Sequence, residues 1–247
     1  MDYKQTNKER AAIALNAAKQ IVVSAKTNGT DAVHGLHFTI KHTGKMKGIR
    51  SISTSVVLNE HCQKHRKIDG SICSKCYAAA MVESQYAKRD LPKTLSANTE
   101  ILTQQHIPLA EMPKFGKNVP YFRFEAFGDL NNVTQAMNYI RMAKANPETQ
   151  CVLFTKNPRL IQFAEELSGG RPANMNVVLS SIQMNRPVTK FRNWKPDIVF
   201  TVYDKEHIEK DGIVINCGAR SCKTCHKCYD KRSHRSGKVT YINEKLK

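Results

Sequence analysis

The sequence predicts an α/β protein: a partial (β/α) barrel of mainly parallel strands, with a helix ahead of it and a cysteine-rich loop behind it. Two observations carry that reading. From residue 120 onward, strand-like runs alternate with segments of helical period, the pattern of βα units. The runs are short and apolar, as strands of a covered parallel sheet are. At 247 residues and 40% hydrophobic, the chain suits one domain or two small ones with a real core. It divides into an N-terminal helical extension (1–35), a barrel core (36–216) and a cysteine-rich segment with a basic tail (217–247).

The elements follow in order. Thr6 and Glu9 form a capping box for a helix expected from Asn7 to Lys26, with Ile13, Ala17, Ile21 and Val22 on one face and Asn28-Gly29 as the stop. Two strands are expected at Leu36 to Ile40 and Ile49 to Leu58, joined by a basic, glycine-bearing turn. Helices are expected from Cys76 to Lys88 and from Lys93 to about Gln105, with Pro92 tolerated at the start of the second. The alternation then runs strand 121–127, helix 132–145, strand 151–155, helix 158–167, strand 177–181, an irregular Asn185-Arg186-Pro187 segment, strand 198–203, a short helix 204–210 and a last strand at Ile213 to Asn216. Cys151 lies inside a strand, and packing is its expected role.

Parallel α/β architectures place their sites beyond the C-terminal ends of the strands. That rule selects Cys62, Cys73 and Cys76, then Gly128 and Asp129 with Glu125 inside the preceding strand, then Thr155, Lys156 and Asn157, then Ser180, Ser181 and Gln183, then Tyr203 and Asp204, and finally Cys217. Both cysteine groups are expected on that one rim. Glu125 interrupts an apolar run and shares a strand face with Arg123. It is either half of a structural ion pair or a catalytic carboxylate beside Asp129. Lys156 is either a solvated lysine or a catalytic cation that meets a substrate carboxylate or phosphate. Gly128, Thr155, Ser180, Ser181 and Tyr203 are the expected cofactor-binding positions.

Seven of the eight cysteines fall into two tight groups, Cys62, Cys73 and Cys76, and Cys217, Cys222, Cys225 and Cys228. Thiolate is the soft ligand that zinc and iron–sulfur centres select. Cys222-x2-Cys225-x2-Cys228 steps like the run that wraps an iron–sulfur cluster, whereas zinc sites draw two pairs from separated elements. The first group allows two arrangements. Cys62, His65, Cys73 and Cys76 make a Cys3His zinc set, and the three cysteines alone hold a [4Fe-4S] cluster with one iron open.

Lys and Arg outnumber Asp and Glu by 39 to 21, a net charge of +18, which favours a polyanion such as DNA or RNA as partner. The expected phosphate contacts are Lys41, Lys45, Lys47, Arg50, Lys227, Lys231, Arg232 and Arg235. No apolar run approaches the ~18 residues of a membrane helix. The N-terminus lacks the apolar region of a secretory signal, so a cytoplasmic protein with reduced thiols is expected.

Cys73-Ser74-Lys75-Cys76-Tyr77-Ala78, Phe124-Glu125-Ala126-Phe127-Gly128-Asp129 and the terminal cysteine run together resemble the gene product 88 family of phages and mobile elements, over roughly residues 50 to 230. That family is in turn similar to radical S-adenosylmethionine (SAM) enzymes. The resemblance implies a cluster-binding loop after the first strand, with Cys62, Cys73 and Cys76 holding a cluster whose open iron chelates SAM. Residues 125–129 would lie where those enzymes contact the methionyl amine, and the terminal cysteines would hold an auxiliary cluster. Such an enzyme also needs an electron donor. The other function class is a non-catalytic, zinc- or cluster-braced nucleic-acid-binding protein.

Overall fold

A computed structural model describes residues 32–33, 35–84, 90–230 and 238–246. The helix expected from Asn7 to Lys26 lies outside these residues. Eight strands lie side by side in sequence order: β1 (Ala32–Val33), β2 (Leu36–Thr39), β3 (Arg50–Ile52), β4 (Tyr121–Phe124), β5 (Gln150–Thr155), β6 (Met175–Ser180), β7 (Ile198–Tyr203) and β8 (Thr240–Lys245). The β1–β2 and β2–β3 pairs are antiparallel, and every pair from β3 to β8 is parallel. The mixed α/β class and the mostly parallel sheet are as expected. The sheet stays open, with β1 and β8 as its edges.

Between β3 and β4 lie α1 (Glu60–Arg66), a 3-10 turn (Ile72–Lys75), α2 (Tyr77–Ser84) and α3 (Leu91–Gln104). The later helices are α4 (Val133–Ala145), α5 (Pro158–Leu167), α6 (Lys205–Lys210) and α7 (Cys222–Cys225). Their starts have visible causes. Asn59, Asn132 and Asp204 each accept an amide of the first turn, and Pro158 opens α5.

The period of two along each strand sorts side chains onto two faces. Ile52, Phe122, Phe124, Cys151, Leu153, Met175 and Val177 pack beneath α3, α4 and α5 in the main core. Cys151 is therefore a core residue. The other face presents Val152, Val178, Ile198 and Ile242, covered by Ile49, Tyr229 and the terminal cysteine segment.

Three expectations are corrected. Ile213 to Asn216 is irregular. The last strand is β8, drawn from the polar tail, because Ile242 buries on the open face while Asn216 and Cys217 amides bond the Asn243 carbonyl. The expected strand at 49–58 pairs only over Arg50–Ile52. Beyond it, buried Ser53, Thr54 and Ser55 direct their hydroxyls to neighbouring loops instead. Finally, α1 carries Cys62 and was not predicted.

Candidate functional site

Each of the first three cysteines is placed by a local cap. The Asn59 side chain accepts the Cys62 amide at 3.1 Å, and Ser71 accepts the Cys73 amide at 3.0 Å. The Cys76 amide then closes on the Cys73 carbonyl. The loop is tied to the end of β6: Ser71 bridges Gln183, Ile72 donates to Ile182 and Met184 donates to Gly70.

Asp129 is the hub beneath them and is 2% exposed. One carboxylate oxygen takes the Leu130 amide and the Thr155 hydroxyl, and the other takes the Lys156 amide at 2.8 Å. Its carbonyl accepts the Asn59 amide nitrogen at 2.8 Å, so the helix cap and the β4 loop are one construction. Glu125 turns out of β4 with φ +58°. Its carboxylate takes the Tyr139 hydroxyl, the Gln135 amide nitrogen and both the amide and hydroxyl of Thr54. It therefore makes no pair with Arg123. The Arg123 guanidinium lies on the open face, 3.8 Å from the centre of the Phe154 ring. Gly128, at φ +83°, admits no side chain, since a Cβ would approach the Thr54 carbonyl to 2.6 Å.

Burial pushes the Cys62 and Cys73 thiols up, with Lys156 opposing. For Lys156, burial pulls down, but Cys73, Asp129, Cys62 and Cys76 together outweigh it and hold the ammonium charged. Beyond its backbone amide, Lys156 makes no hydrogen bond or ion pair among the described residues. Glu125 is pushed up to about 8, chiefly by burial, against its hydrogen bonds from Tyr139 and Thr54.

The terminal cysteines form a second group, and it does not share the rim of the first. Cys217, Cys222 and Cys228 pack on the open face of the sheet with Tyr229. The Cys228 carbonyl accepts from Asn176, the second residue of β6, and His226 stacks on Tyr121, the first residue of β4. These contacts sit toward the N-terminal ends of the strands. Its position in the chain could not assign this segment a face, because β8 and not 213–216 is the last strand of the sheet. Burial pushes Cys228 up to about 12, with Arg123 opposing. The Lys45 ammonium reaches the Cys217 carbonyl at 3.1 Å and Glu244 at 2.6 Å. Among the described residues, no group of three or more His, Cys, Asp or Glu side chains is arranged to hold a metal ion.

The gene product 88 family pattern matches residues 16–240, nearly the whole chain. The chain belongs to the gene product 88 family. No curated protein and no solved structure matches it.

In this family member, the geometry joins Cys62, Cys73, Cys76, Asp129, Thr155 and Lys156, with Gly128 and Glu125 linked through Thr54. Ser181 bonds the Thr201 hydroxyl at 2.9 Å, and Tyr203 is buried beside Asp211; among the described residues no hydrogen bond ties them, or Ser180, to the cysteines. Thr54, Asn59, Gln135 and Tyr139 were missed. The signal for Thr54 was the hydroxyl run Ser53-Thr54-Ser55 after an apolar strand. Gln135 and Tyr139 lie one helical turn apart on α4, which aligns them but does not reveal their target. No helix among the described residues is long and apolar enough to cross a membrane.

Proposed function

We propose that this protein is an iron–sulfur enzyme of radical-SAM-like type on a partial (β/α) barrel. Cys62, Cys73 and Cys76 would hold an open [4Fe-4S] cluster, and Cys217, Cys222, Cys225 and Cys228 an auxiliary one. The observation that carries this is one charged ammonium, Lys156, within electrostatic reach of the Cys62, Cys73 and Cys76 thiols and beside a carboxylate whose oxygens are already taken. The donor chemistry fits: the thiols are soft ligands whose protons a metal would displace, and Lys156 offsets the resulting negative charge. Bound there, a cluster supplies one-electron reduction and an open coordination position. The chain supplies the rest. Asp129 and Asn59 fix the loop, Glu125 holds the β4 turn as a positioning residue, and Lys156 orients an anionic group of substrate or SAM. Tyr77, although largely exposed, ties α2 to the β4 loop by its hydroxyl, which donates to the Ala126 carbonyl at 2.9 Å. Thr155, Ser180, Ser181, Gly128 and Tyr203 remain the proposed cofactor-binding positions. The reaction is cytoplasmic and needs an electron donor, and its substrate is a nucleic acid or nucleotide.

A second reading rests on α1. The His61 and His65 rings lie with centres 4.1 Å apart and planes tilted by 38° on the helix that carries Cys62, and among the described residues the buried His61 Nε2 has no hydrogen-bond partner. Histidine there favours a zinc site bracing a nucleic-acid-binding protein. Purification without oxygen, followed by a visible spectrum and iron, sulfide and zinc analysis, separates the two. Brown protein with iron and sulfide supports the first reading, and colourless protein carrying only zinc overturns it. SAM plus a reductant should then yield 5′-deoxyadenosine, and its absence would reject the radical step.

A further inference from the structure

Two sequence segments, 41–50 and 216–228, contain no Asp or Glu and are rich in Lys and Arg. They lie about 170 residues apart in the chain, yet the fold packs them together. The Lys45 ammonium reaches the Cys217 carbonyl, and the Lys223 stem lies over Gly48, where a Cβ would come within 3.0 Å of it. Gly48 adopts φ +81° and leaves room for that stem. Lys41, Lys47, Arg220, Lys223 and Lys227 are exposed around this junction. Glu244, the carboxylate on adjoining β8, is held by Lys45.

We infer that this junction is a phosphate-backbone interface for nucleic acid, on the open-face side of the sheet and away from the three-cysteine loop. The inference rests on the nucleic-acid part of the proposed function and is independent of its cluster chemistry. A cluster of exposed cations whose adjoining carboxylate, Glu244, is already paired attracts a polyanion by counterion release, with little dependence on base sequence. The terminal cysteine segment then has a second consequence: it holds Lys223 over Gly48 and its Cys217 carbonyl on Lys45, so the two basic segments are presented together.

The test is fluorescence anisotropy of the full chain, as purified, on labelled single-stranded DNA, duplex DNA and RNA of equal length over a salt series. The triple variant Lys47→Gln, Arg220→Gln, Lys223→Gln is compared with a control triple on the helix layer, Lys114→Gln, Lys144→Gln, Arg159→Gln. The patch variant should lower the slope of log affinity against log salt by roughly one per cation removed, about three in all on duplex DNA. The control should leave the slope unchanged. Wild-type binding that both variants weaken equally overturns the placement and spares the nucleic-acid reading. Absence of wild-type binding overturns both. Equal competition by polyglutamate would assign the patch to acidic proteins and also overturn it.

Discussion

Glu125 carries the densest hydrogen bonding of any carboxylate near the cysteines, and almost none of its surface meets solvent. Its carboxyl sits near 8 when folded, against 4.5 for an ordinary one. Between those values the folded chain keeps a proton that the unfolded chain has released. Stability therefore falls as pH rises from about 4.5 to about 8 and levels off above, by up to about 1.4 kcal/mol per unit. Below 4.5 both states are protonated and the effect vanishes. Glu125→Gln should flatten this dependence, so that melting temperatures of the two proteins diverge steadily from pH 5 to pH 8. Parallel melting curves across that range would show that the carboxyl is ionised throughout. The residue stood out in sequence because it broke an apolar run. Its partners Gln135 and Tyr139 come from the following helix, which no strand pattern can supply.

At the scale of elements, β8 does more than extend the sheet. Ile242 is 3% exposed on the open face, and Asn243 anchors Asn216 and Cys217. A polar tail hid this strand, since only one of its six positions, Ile242, is fully buried. Ile242→Ala should cost about 2–5 kcal/mol. It should also speed amide hydrogen exchange over 216–229 more than in α4, because the cysteine segment loses its support. Uniform acceleration across both would mean that the segment does not depend on β8. By contrast, α5 and β7 were legible with their bounds intact, since Pro158 marks a helix start and Ile198 to Tyr203 is a continuous β-prone run.

The whole molecule separates its two thiol groups, one past the strand ends and one on a face of the sheet. The first sits past the C-terminal strand ends, tied to the β6 loop. The second covers the open face and shares a core with Val152, Val178 and Ile242. Each should therefore lose its metal separately. Replacing Cys62, Cys73 and Cys76 by Ala should remove about half of the bound iron and leave the second site loaded, given that each site binds on its own ligands. Replacing the four terminal cysteines should also lower the melting temperature, because Cys217, Cys222 and Cys228 pack in that core. Complete metal loss from the first variant would show instead that the two sites depend on each other.

The sequence alone determined the α/β alternation, most helix positions, the two cysteine groups and the excess of positive charge. These depend on local period, capping and composition, which are written along the chain. The tertiary structure decided which side of the sheet each cysteine group occupies. It also decided that Lys156 lies within electrostatic reach of three thiols and that the 41–50 turn meets residues 216–228. A period of two tells which side chains share a face, but not which distant segment will cover it. That choice is made by long-range packing, here by Ile242, Tyr229 and the Lys45 bridge to Cys217.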